Sequence, residues 1–384
     1  MRDVSIVGIG STRFGRHAAD ILPLAVEAAE QAIADSGVGR KEIGALYFGN
    51  FLSGRLSGQE ILAARLGDTL QLANIPCTKV EGACASGSIA FRHAWLAVAS
   101  GLCDAALAVG AEKMTHVDVP EVVSALNCSM DIADGHTGLT PPGVYGLAWR
   151  VHAGRHGTTR EQVSSVVIKN KANGLKNPLA QLGAEISNDE IERSPMIAAP
   201  LRRLDCCPVS DGAAAIVVTA KDRSKGRPDA VDVLAAIQTR GSPSVGGYQD
   251  LSSFDATVEA ARRAYSAAGI SAQDIDFAEL HDCFSIAEIL DSEDLQLVPR
   301  GRGHIWAQDG RTRVGGDVAI NPSGGLLAKG HPVGATGVAQ IHEAVLQMRG
   351  SHPNQVKNAT FGLTHNLGGA GAICSVNIIA RRDR

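Results

Sequence analysis

VEAAEQAIADSGVGRKEI, Val26 to Ile43, returns as VEAARRAYSAAGISAQDI, Val258 to Ile275, in gapless register at a separation of 232 positions. Each copy spaces its apolar residues for a helix, ends that helix on a glycine (Gly37, Gly269) and runs through a short polar stretch toward an apolar strand. A common alanine-rich composition would give similar helices, but not a helix, its cap and the next strand in one register. A second echo closes each half: DGAAAIVVTA (Asp211 to Ala220) and GGAGAICSVNIIA (Gly368 to Ala380) are both glycine-led strands. The reading is an α/β protein of two similar halves, 1–228 and 229–384, divided at the polar stretch SKGRPD. Residues 119–203 have no counterpart in the second half and carry TPPG and KNPL turns, so they are expected to form an inserted loop domain.

Bulk properties narrow the function. At 384 residues, 45% hydrophobic and 20% charged, the chain has ample material for a large core. A formal charge of -4 and 4% aromatic residues give neither the field nor the stacking surface that nucleic acid requires. The eight cysteines contain no CxxC pair, which suggests neither a zinc site nor a disulfide framework, and fits a reducing, cytoplasmic compartment. VSIVGI (Val4 to Ile9) reads as a buried strand rather than a leader, and no apolar run is long enough to span a bilayer, so no membrane association is expected.

Ligands of open α/β sheets gather at the carboxyl ends of strands, and four segments bring reactive side chains to such junctions. In VEGACASGSIAFRHAW, Cys84 lies among small residues just ahead of an alanine-rich helix, where the positive end of the helix dipole is expected to lower its pKa and make it a nucleophile. In AELHDCFSIAEI, His281 and Cys283 are two apart at a strand's exit, which predicts that both occupy one strand face. In INPSGGLLAKGHPVGATG, His331 follows closely spaced glycines that suggest backbone approach; the P-loop ending is missing. In GLTHNLGGAGAICSV, Gly368 and Gly369 offer backbone N–H groups to an oxyanion.

Taken together and in this order, the four segments resemble the catalytic loops of the thiolase superfamily, and the likeness spans essentially the whole chain. The HDCF of His281 to Phe284 and the HN of His365 and Asn366 are similar to the sterol-carrier-protein and archaeal-type branch; other thiolases carry an Asn-Glu pair at the first place and a Cys-Gly pair at the last. With Asn366 standing where that second cysteine would be, Cys283 is the candidate to replace it.

The resemblance implies two duplicated βαβαβαββ halves in a five-layered α/β/α/β/α core. It implies a thiolase making or cleaving a 3-oxoacyl-CoA by ping-pong chemistry. In that scheme Cys84 is the nucleophile, His331 its base, Cys283 the acid/base at carbon, and His281 and the backbone of Gly368 are oxyanion donors. Tyr145 and Asn366 are expected at the substrate, and Lys169, Lys171 and Lys176 are candidates to meet the phosphates of coenzyme A. CoA and acyl-CoA are then substrates, with no tightly bound cofactor and no metal. A homodimer or tetramer is implied, as is a small partner with a zinc ribbon and an OB-fold. A β-ketoacyl synthase, an aldol-type acyl-CoA lyase and a non-catalytic lipid carrier share parts of this pattern.

Overall fold

The computed structural model describes residues 1–382. Ten strands form one continuous sheet: β1 (Val4–Ser11), β2 (Ala45–Gly49), β3 (Cys77–Val80), β4 (Ala105–Glu112), β5 (Gly212–Ala220), β6 (Val231–Arg240), β7 (Phe277–Glu279), β8 (Ala319–Ile320), β9 (Phe361–Gly368) and β10 (Ile373–Arg381). Along the sheet the order is β8-β7-β9-β10-β6-β1-β5-β4-β2-β3. Each strand of the first half thus has its equivalent five strands later, with the same parallel and antiparallel neighbours. The halves join where Val4–Ile6 of β1 run antiparallel to Val231–Val233 of β6.

The repeat that opens the sequence accounts for the outer layers. Helix α1 (Ile21–Ser36) ends on Gly37 at φ 65°, a left-handed conformation that glycine adopts without a Cβ penalty, and Gly269 at φ 69° ends the equivalent helix Asp255–Ala268. The next turns also match: Arg40–Glu42 and Ala272–Asp274 are both short 3₁₀ turns, with Glu42 and Asp274 capping back.

Between the halves lies a central helical layer. Here α2 (Ser86–Ala99), after β3, packs on the helix Thr336–Met348, after β8, and each also touches strands of the opposite half. The layers read α1, first half-sheet, paired central helices, second half-sheet, and the outer helix Asp255–Ala268. Alternation along β4 shows how one strand serves two cores: Ala106 and Ala108 face the central helices, whereas Leu107 and Val109 face α1.

Two long helices of the 119–203 segment, α3 (Pro141–His156) and α4 (Arg160–Lys176), join the core of the second half. Tyr145, Trp149, Val163, Val166 and Val167 pack there with α5 (Asp255–Ala268) and α6 (Ser285–Asp294). The remaining helices used below are α7 (Gly303–Gln308), α8 (Gly325–Lys329) and α9 (Thr336–Met348). Among the described residues no helix is long and apolar enough to cross a membrane.

Candidate active site

Cys84 and His331 occupy equivalent places in the two halves, each on the link that leads into a central helix. Their meeting depends on how closely α2 and α9 approach at their N-terminal ends. A Cβ on Gly87 would lie 2.7 Å from the Gly334 oxygen, and one on Gly337 would lie 2.5 Å from the Ser88 nitrogen. Any side chain at these positions would drive the links carrying Cys84 and His331 apart.

The cysteine sits in a 3₁₀ turn, Ala83–Ala85, just before α2. Ser86 holds this turn: its Oγ accepts from the Gly82 N–H (3.0 Å) and donates to the Ala83 carbonyl (2.6 Å). The Cys84 thiol is half-buried. Burial pushes its pKa up to about 12, with the Glu112 carboxylate adding to the shift and the residue's own N–H opposing it. This corrects the expectation of a depressed pKa, because loss of hydration outweighs the field of the helix end.

One donor atom each from Cys84, His281 and His331 lies within 4.8 Å of the other two. The two imidazoles stand edge to face with centroids 5.0 Å apart, and their hydrogen bonds give them opposite tautomers. His331 Nδ1 is 2.6 Å from Thr336 Oγ1, whose proton goes to the Pro332 carbonyl at 3.1 Å. Nδ1 therefore carries hydrogen, leaving His331 Nε2 as a buried lone pair without a protein partner. Burial lowers the His331 pKa to about 3, so the ring is neutral and able to accept a proton. For His281, Asn366 Nδ2 lies 2.8 Å from Nδ1, which makes Nδ1 the acceptor and Nε2–H the donor. Burial, with His331 and His365 adding, keeps this ring neutral too.

His281 and Cys283 do not share a strand face, because β7 stops at Glu279. The neighbouring strand β8 is only two residues long, and the Leu280 N–H turns instead to Asn321 Oδ1 (2.7 Å). The Asp282 carboxylate caps α8 through Leu326 N (2.6 Å), while the Cys283 N–H closes a tight turn on the His281 carbonyl (2.8 Å). The turn still leaves Cys283 at the site. Burial raises its pKa well above the ordinary value, with Cys207, Cys84 and Asp291 adding; the Tyr145 hydroxyl opposes the shift. Tyr145, from α3, stacks obliquely on Phe284 at 4.9 Å. Gly368 forms the wall behind Cys84, where a Cβ would lie 2.4 Å from the Gly82 oxygen.

Some residues went unnoticed in the sequence, and others prove to be elsewhere. Cys207, a thiol whose pKa burial raises, with Cys206 and Cys84 adding, lies on the Cys206–Cys207 stretch that carried no reactive pattern of its own. Glu112 ends β4 and takes N–H groups from Phe51, Leu52, Gly334 and the Asn50 amide, tying the loops of both halves. A carboxylate closing the apolar run ALAVGAE was the available signal. His365 turns away from Asn366 toward Thr257 (3.1 Å) and Asp291 (3.6 Å).

The lysine expectation needs a larger correction. Lys169 is buried, bonded to the Ile320 carbonyl (2.6 Å) and paired with Glu288 (2.7 Å), so it is bound inside the fold. Lys171 is also buried, its pKa lowered to about 8 by lost hydration, whereas Lys176 is exposed at the end of α4.

A thiol that can be reached, a neutral imidazole acceptor and an imidazole N–H donor meet between two copies of one fold, a set with the chemistry to accept an acyl group and to donate to its oxygen. Comparison with known proteins agrees. Residues 4–222 match the family model "Thiolase, N-terminal domain" and residues 239–381 match "Thiolase C-terminal domain-like". The chain is 42% identical to the acetyl-CoA acetyltransferase of Methanothermobacter thermautotrophicus, over 99% of this chain and 100% of that one. It is 36% identical to sterol carrier protein 2 of Bos taurus, over 96% of this chain and 71% of the other. In structure it resembles the Ltp2-ChsH2(DUF35) aldolase with a TM-score of 0.83 at 24% identity, over 99% of this chain and 98% of that one. The chain belongs to the thiolase family, and it is an acyltransferase of the thiolase type.

Proposed function

We propose that Cys84 accepts an acyl group from a CoA thioester and passes it to a second acyl-CoA, or in reverse cleaves a 3-oxoacyl-CoA, with His331 as base and Cys283 as the acid/base at carbon. The observation that carries this reading is the convergence of Cys84, His281 and His331 within 4.8 Å, the two rings in opposite tautomers. His331 Nε2 takes the thiol proton as sulfur attacks the thioester carbonyl, and returns it to the departing CoA thiolate. Resting sulfur is therefore neutral and ionises only as the bond forms.

In the cleavage direction, the Cys84 thiolate attacks the 3-oxo carbon, the C–C bond breaks, and the enolate of an acyl-CoA leaves. His281 Nε2–H suits the enolate oxygen, directly or through a water; the backbone N–H groups of Cys84 and Gly368 are assigned to the other thioester oxygen. Cys283, held as a thiol by burial, supplies the proton at carbon; in condensation the same group must first give it up. Tyr145 is assigned to the acyl pocket and to Cys283, and Asn366 to the orientation of His281. CoA and acyl-CoA are the substrates in this account, which fits the name of the acetyl-CoA acetyltransferase relative. The small zinc-ribbon and OB-fold partner finds support in the DUF35 component named in the aldolase structure.

An aldol-type lyase reading is not favoured, because an acyl-cysteine has no place in it while the Cys84–His331 pair is intact. The pair of variants Cys84→Ala and Cys283→Ala tests the division of labour. Cys84→Ala should abolish acyl transfer. Cys283→Ala should still form the acyl-enzyme yet lose solvent exchange at the acyl-CoA α-carbon. Full α-carbon exchange in Cys283→Ala would move the acid/base role to another group.

A further inference from the structure

Away from the acyl-transfer site, His152, Glu293 and His304 form a second cluster, with one donor atom of each within 4.8 Å of the others. They come from three elements: His152 from α3, Glu293 from α6 and His304 from α7. All three are buried, and His304, 3% exposed, holds a buried Nδ1 with no hydrogen-bond partner. We infer that this cluster is a structural site for a divalent metal ion of the zinc class, tying the helix α3 to α6 and α7.

The geometry suits such an ion. His152 Nε2 lies 3.2 Å from Glu293 Oε1, and tetrahedral ligands about 2.0–2.1 Å from zinc stand about 3.3 Å apart. The other face of each ligand is already oriented. His152 Nδ1 is 2.6 Å from Thr158 Oγ1, while the Glu293 oxygens accept from Gly301 N (2.7 Å) and Gly303 N (2.8 Å). The guanidinium of Arg300 pairs most closely with Asp294, at 2.6 Å, and also reaches Glu293 Oε2 at 3.9 Å. Two imidazoles and a carboxylate suit zinc better than a hard cation, with the fourth tetrahedral position left for a water.

The function of such an ion is to fix α3 over the loop that carries Cys283, since α3 places Tyr145 against Phe284 and α6 begins two residues after Cys283. The test loads the purified chain with zinc sulfate, removes free metal by gel filtration and measures bound zinc and the melting temperature. The site predicts about one zinc per chain in the wild type and equally in Cys84→Ala, with background zinc in His304→Gln and Glu293→Gln. Thr158→Val, which loses only the support of His152, should fold and bind zinc about 10–100-fold more weakly. Chelation should lower the melting temperature of the wild type and leave that of His304→Gln unchanged. Absence of bound zinc in the wild type overturns the inference. So does zinc retained by His304→Gln and lost by Cys84→Ala, which would put the metal on Cys84, His281 and His331 instead. Should Glu293→Gln fail to fold, His304→Gln and Thr158→Val decide.

Discussion

The two active-site imidazoles differ only in what their Nδ1 atoms touch: a threonine hydroxyl whose proton is already spent for His331, and an amide donor for His281. From this contrast follow a base and an acid on neighbouring rings. Thr336→Val removes the acceptor that sets the His331 tautomer and should lower kcat by about tenfold, worth about 1.4 kcal/mol, with little change in melting temperature. The pH dependence has a defined sign. With its pKa at about 3, His331 remains a base throughout the mildly acidic range, so the acylation rate should hold steady from pH 7 to pH 5. An imidazole of ordinary pKa near 6.5 would lose about thirty-fold at pH 5. The same depressed value weakens folding as pH drops below about 6.5 toward 3, because the unfolded chain binds the proton first. Single-turnover acylation across this range checks the claim, and an inflection near 6.5 would count against it. That Cys84, His281 and His331 belong to loops at strand-to-helix junctions was legible from residue type and position, and the structure brings the three together. Their protonation was not, because desolvation depends on the three-dimensional neighbours that close over Cys84.

At the scale of elements, the repeated helix, glycine and 3₁₀ turn were readable because each is a local signal, and they recur in register in the structure. The end of β7 was not readable. Strand length depends on a partner, and β8 offers two residues. Likewise the lysines of α4 are candidates for CoA phosphates in the sequence, but Lys169 is an internal strut between Glu288 and the Ile320 carbonyl. Lys169→Ala leaves Glu288 buried without its cation and should cost about 3–5 kcal/mol in urea unfolding. A residue bound to CoA phosphate would instead raise KM with stability unchanged, so measuring both separates the roles.

For the whole molecule, duplication does more than add area. It places one catalytic link in each half and lets the glycine-lined contact of α2 and α9 join them. Gly337→Val should therefore reduce stability and acyl transfer together, by about 1–3 kcal/mol or more in unfolding, since the branched side chain meets the backbone at Ser88. Normal turnover in a destabilised Gly337→Val protein would show that the two links do not need this approach. The two-half architecture was visible in the sequence, whereas the continuous sheet was not: the β1–β6 junction pairs only short stretches and leaves no pattern of its own.

In the proposed reaction one sulfur, on Cys84, bears the acyl group in turnover. Brief exposure to an acyl-CoA, acid quench and mass analysis of the digested protein tests it most directly. The account predicts one acyl group, on the peptide containing Cys84, absent in Cys84→Ala and discharged by free CoA. A catalytically active sample in which that peptide is never acylated, or in which Cys283 or Cys207 carries the group, would contradict it.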